Sequence, residues 1–74
     1  MDWKPYIEER PDVMNGKPVF KGTRLTVEHV LRELADGVPE DELLKGHPRL
    51  TRDHLRAAWA YAAAVIGLEQ TLLG

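Results

Sequence analysis

The stretch GVPEDELLKGHPRLTRDHLRAAWAY, Gly37 to Tyr61, reads as two helices broken by a tight turn. Pro39 suits the first position of the first helix, and Glu40, Asp41 and Glu42 set negative charge at the positive end of its dipole. Leu43 and Leu44 are its apolar residues. Gly46 ends it after Lys45, and Pro48 prevents continuation. The spacing predicts a helix from Pro39 or Glu40 to Lys45. Thr51 then caps a longer helix that nothing interrupts before Gly67. On that helix Leu55, Ala58, Trp59, Ala62 and Ile66 fall on one stripe, expected to face the other helices. Ala57, Ala60, Ala64 and Gly67 share the opposite side, where Lys, Glu or Gln would be usual. Alanine there is either only a good helix former or a surface that lets a second backbone approach closely.

Upstream, Val27, Val30, Leu31 and Leu34 recur at helical spacing and predict a further helix, with Thr26 as N-cap and Gly37 stopping it after Asp36. Before Thr26 the chain reads as extended. Pro5, Pro11 and Pro18 forbid a helix, and Asn15-Gly16 signals a turn. Pro18–Lys21 and Arg24–Thr26 are short β-like pieces around Gly22-Thr23, expected to pair as a hairpin with Tyr6-Ile7 as a third strand. The whole is a mainly α single domain over residues 1–74. It has an extended or β-hairpin segment at 1–26 and a three-helix helix-turn-helix at 27–74.

Seventy-four residues give one domain that buries about 60 % of its unfolded surface, so a lone core is marginal. Disulfides, a metal or oligomerisation commonly add what is missing. The chain has no Cys. Its three histidines, His29, His47 and His54, are scattered without metal-ligand spacing, so no metal or cofactor is expected. Oligomerisation, as a homodimer, is the expected supplement. A hydrophobic content of 43 % excludes disorder through low hydrophobicity. The first residues contain no apolar signal core, and the longest nearly uncharged run, Ala57 to Leu68, falls short of the roughly 20 residues of a membrane span. The expected location is the cytoplasm.

The net charge of −2 averages two unlike segments. Residues 27–44 carry Arg32 against six acids, whereas residues 45–63 carry Lys45, Arg49, Arg52 and Arg56 against Asp53 alone. The basic segment coincides with the turn and the start of the long helix. In a DNA reader of this type the second helix enters the major groove with its N-terminal residues at the base edges. Arg49, Arg52 and Arg56 are therefore the candidate DNA contacts. The Thr51 hydroxyl and the first free amides of the helix are candidates for a phosphate. A solvated basic face balancing the acidic helices is the simpler alternative. Catalysis finds little support: there is no thiol nucleophile, and the acids of Glu40-Asp41-Glu42 serve the dipole more simply than they form an acid–base pair. Gly16-Lys17-Pro18 and Lys21-Gly22-Thr23 lack the context of a phosphate loop. No catalytic residue is assigned.

The run GKPVFKGTRLTV (Gly16–Val27), with GVPEDELLKGHPRLT (Gly37–Thr51), the Leu55–Tyr61 helix, Asp2-Trp3-Lys4 and Tyr6-Ile7, resembles domain of unknown function family 433 over about residues 2–64. The resemblance implies a homeodomain-like or winged-helix-like fold. It also implies an antitoxin of the VapB type, DNA-binding and autoregulatory, whose toxin is a PIN-like ribonuclease. Gly16, Lys17, Pro18, Gly22, Thr23 and Arg24 carry the family motif. The glycines suit tight turns, and Arg24 is expected to tie the β element to a helix C-terminus or an acid. Pro39 and His47 depart from the family's usual Ser or Thr and aromatic. Residues 68–74 are too short for a wrapping toxin-binding tail, which leaves docking to the Ala57/Ala60/Ala64/Gly67 face or the N-terminal segment. The alternative is a protein-interaction module that uses the alanine face and never touches DNA.

Overall fold

A computed structural model describes the backbone of residues 1–73 and the side chains of residues 1–68. The side chains of residues 69–74, most of the 68–74 tail named above, lie outside the described residues. Two strands, β1 (Ile7–Glu9) and β2 (Pro18–Phe20), precede three helices, α1 (Val27–Ala35), α2 (Glu40–Gly46) and α3 (Arg52–Leu73).

β1 and β2 pair antiparallel with Ile7 opposite Phe20 and Glu9 opposite Pro18. The strand pairing thus differs from the expected order. Tyr6-Ile7 supplies the main partner, while Arg24–Thr26 contributes only a single bridge, Val19 to Thr26. The reason is local. Thr23 Oγ1 donates to the Phe20 carbonyl at 2.8 Å and accepts from the Leu25 amide at 3.0 Å, curling residues 21–25 into a closed loop. Pro18 sits at a strand end, where its missing amide costs no ladder bond. The β1–β2 connection turns through Met14, Asn15 and Gly16, all at positive φ.

α1 begins and ends as its sequence predicts. Thr26 Oγ1 accepts from the His29 amide at 3.0 Å. At the other end Gly37 adopts φ +89, its amide bonds the Leu34 carbonyl at 3.1 Å and the Val38 amide bonds the Glu33 carbonyl at 3.1 Å. That pattern is a Schellman cap, which favours glycine at the left-handed position. α2 differs slightly: Pro39 is its N-cap in extended conformation, not its first helical residue, and the helix includes Gly46. At the start of α3 the His54 ring folds back over Thr51. His54 Nδ1 accepts from the Thr51 amide at 3.1 Å and lies 2.9 Å from Thr51 Oγ1. The imidazole thus takes the part that Glu plays in a capping box, reaching back to the Thr51 amide, while the His54 amide bonds the Thr51 carbonyl at 3.0 Å.

The core is built from Ile7, Val19, Phe20, Val27, Val30, Leu43, Leu50, Leu55, Ala57 and Ala58. The first residues fold back along α3: Trp3 meets Tyr61 edge-on at 4.8 Å, and Tyr6 meets His54 at 5.2 Å. α3 is rotated relative to its predicted setting. Leu55 and Ala58 are buried as expected, but Trp59 and Ile66 are 54 % and 53 % exposed. Ala57, expected on the outward alanine face, is a core residue with no exposed surface. Its small side chain lets α3 lie close to the rest of the core. Ala60 is half-buried, and Ala64 and Gly67 lie at the surface. α3 continues past Gly67 to Leu73. Among the described residues no helix is long and apolar enough to cross a membrane.

Candidate nucleic-acid interface

The α2–α3 junction is short. The His47 amide bonds the Leu43 carbonyl at 3.0 Å, and the Leu50 amide bonds the His47 carbonyl at 2.9 Å. Leu43 and Leu50 on either side are buried, so the turn is anchored to the core at both ends. Arg49 projects from it, exposed, and its guanidinium donates to the Gly22 carbonyl at 3.3 Å. The same bond draws the Gly22-Thr23-Arg24 loop against the turn. A hollow of about 330 Å³ lies between them, lined by Thr23, Arg24, Leu25, His47, Pro48 and Arg49 among others.

This juxtaposition was not legible in the sequence, because residues 22–24 and 46–49 meet only through tertiary packing. It also changes the reading of Arg24. Expected to brace the β element, it is exposed and makes no hydrogen bond or ion pair among the described residues. The bracing falls to Lys17, which pairs with Glu28 of α1 at 3.3 Å. The Glu28 carboxyl is held below its ordinary pKa, chiefly by that hydrogen bond and the charge of Lys17, with Arg32 adding to the effect. Gly16 and Gly22, both at positive φ, take the turn positions expected of them.

The remaining expected DNA contacts are not equivalent. Arg56 is exposed, with only Asp53 at 3.9 Å nearby. Arg52 lies against α2, paired with Glu40 at 3.6 Å and with Asp41. It clamps the two helices together, and its charge is largely spoken for. The Thr51 hydroxyl is engaged by His54. The arginines not tied to α2 are therefore Arg24, Arg49 and Arg56; of the basic side chains nearby, Arg24, Lys21 and Lys45 have no ion pair among the described residues.

A second surface lies between α1 and the outer half of α3. Val27, Leu31, Ala35, Ala62, Val65 and Ile66 line most of an apolar groove of about 390 Å³. Trp59, Val65, Ile66 and Leu68 are exposed on α3. The large apolar side chains available to a partner are thus these, not the alanines.

Two of the three histidines do not stay scattered. His29 and His47 converge on Glu33, and their donor atoms all lie within 4.8 Å of one another. The expectation of no metal-ligand grouping is corrected accordingly. The local signal was His29 and Glu33 at i, i+4. His47 joins them only because α2 folds back on α1.

A family model described as a protein of unknown function, DUF433, matches residues 7–62. The chain belongs to that family. It is 34 % identical over 58 residues to the uncharacterized protein y4eO of Sinorhizobium fredii (strain NBRC 101917 / NGR234), a match covering 78 % of this chain and 26 % of that protein. The chain therefore spans about a quarter of the length of this curated relative. No solved structure matches.

Proposed function

We propose that this member of the DUF433 family is a small cytoplasmic DNA-binding protein of antitoxin type, working as a homodimer that represses its own synthesis. The observation that carries the reading is the α2–α3 junction, whose anchored turn presents Arg49 beside Arg24 across the hollow, with Arg56 exposed on the first turns of α3. Arginine suits both phosphate and guanine acceptors. Arg52 acts first as the strut between α2 and α3 and shifts toward phosphate only where DNA outcompetes Glu40 and Asp41. The α1–α3 groove takes the protein partner. In the resting protein that partner is a second copy, and in the antitoxin role it is a PIN-like ribonuclease, the toxin class implied by the family resemblance. None of these roles requires catalysis.

The test is a mobility-shift or anisotropy titration with DNA from the protein's own promoter. Arg49→Ala, Arg56→Ala and Arg24→Ala should each weaken binding, by about 1 kcal/mol or more for a contact to phosphate or base. Arg52→Ala should combine a weaker loss with reduced thermal stability. Equal binding by parent and the three exposed-arginine variants would overturn the assigned face.

A second reading has its own support in the acids of α2 that neutralise Arg52. On that reading the protein is an interaction module that uses the groove alone. Dimerisation without any DNA shift at low salt would favour it.

A further inference from the structure

We propose that His29, Glu33 and His47 form a binding site for a divalent transition-metal cation of the zinc class, which ties α1 to the α2–α3 turn. His29 and Glu33 stand one turn apart on α1, so their side chains share a face. His47 is the residue that closes α2, and its backbone is fixed by the bond to Leu43, a core residue. The two imidazoles approach the same carboxylate oxygen through Nε2, His29 at 2.5 Å and His47 at 3.3 Å. Their rings cross at 87° with centroids 6.1 Å apart, so the nitrogens converge on one point instead of stacking.

The chemistry of the donors favours a metal over a simple ion pair. Among the described residues no Lys or Arg is paired with Glu33, whose ion-pair partners are the two imidazoles. Two imidazole ligands and one carboxylate select zinc, nickel, copper or iron, whereas magnesium and calcium prefer oxygen. With bonds of about 2.0–2.2 Å, tetrahedral donors sit roughly 3.3 Å apart. The donor atoms here, all within 4.8 Å of one another, already lie near that spacing. Three protein ligands leave one position for water or an anion. Side-chain exposures of 57 % for His29, 27 % for Glu33 and 25 % for His47 give a site open on the His29 side and sheltered on the other. Arg24 lines both small hollows that border the two histidines, so an anionic fourth ligand would meet a positive rim. Bound metal would staple α1 to the segment presenting Arg49. Its influence on DNA rests on the reading above, but the site itself does not.

The experiment uses untagged protein stripped with chelator, titrated with zinc chloride by calorimetry and with cobalt(II) by visible absorption. One ion per chain is expected. Zinc at a hundredfold excess over its Kd should raise Tm by on the order of 10 °C for a domain this size. His29→Ala, Glu33→Gln and His47→Gln should each weaken binding by more than about tenfold. In the parent protein, cobalt should shift or broaden the ring resonances of His29 and His47 and leave those of His54 in place. That readout decides the matter even if a variant fails to fold. Absence of saturable binding, unchanged affinity in the folded variants, or cobalt effects centred on His54 would overturn the site. Zinc stabilisation without DNA binding would keep the site and overturn only the DNA reading.

Discussion

Thr26 shows how much one side chain can carry here. It is buried, caps α1 through the His29 amide at 3.0 Å and bridges to Val19, so it joins the strands to the first helix. Thr26→Ala should lower stability by about 1 kcal/mol, with Thr26→Ser retaining most of it, in denaturant unfolding. Tyr61 is the other informative residue. It donates to Glu9 at 2.6 Å, and burial, with the Glu9 hydrogen bond and charge, raises its pKa from 10.0 to about 12. The fold thus favours the neutral phenol. Its contribution is whole below pH 10 and is lost as pH rises from 10 through about 12. Tm measured across that interval should fall more steeply for the parent than for Tyr61→Phe, and parallel curves would remove the effect. Caps such as Thr26 and Gly37 were legible from sequence because their signals are chemical and local. The Glu9–Tyr61 and Arg49–Gly22 bonds were not, since each spans much of the chain.

Among the elements, the limits of α1, α2 and the start of α3 followed from proline, glycine and threonine placed where helix ends need them. Strand pairing and helix rotation were harder. Strands of three residues carry too few side chains to fix a partner, and the Thr23 loop sets the choice. The rotation of α3 was ambiguous because alanine fits a tight core and an exposed helix face equally well. Ala57 and Ile66 separate the two faces. Ala57→Glu would place a charge in the core and should abolish folding, read as loss of helical circular dichroism. Ile66→Glu should keep the helical signal and reduce the mass in solution from dimer to monomer. A dimer that survives Ile66→Glu would clear the groove of the partner role. The sequence also named Ala60, Ala64 and Gly67 as interface, but the large exposed apolar residues, Trp59, Val65 and Ile66, offer a partner more apolar surface.

For the molecule as a whole, the charge pattern was legible and its pairing was not. The basic segment offered Arg49, Arg52 and Arg56 as contacts, yet α2 folds its acids onto Arg52 and the Gly22-Thr23-Arg24 loop brings another guanidinium to the Arg49 turn. In this small, cysteine-free domain packing leaves an apolar groove open between α1 and α3 and gathers His29, Glu33 and His47, the two features on which the proposed dimer and metal site rest. The claim on which the functional account depends is that the turn-bearing end contacts DNA phosphates. The most direct measurement is the affinity for promoter DNA over a series of salt concentrations. With about four phosphates neutralised per subunit, the dimer should give a slope of log K against log salt of roughly −7. Undetectable binding at low salt, or a slope near zero, would contradict it.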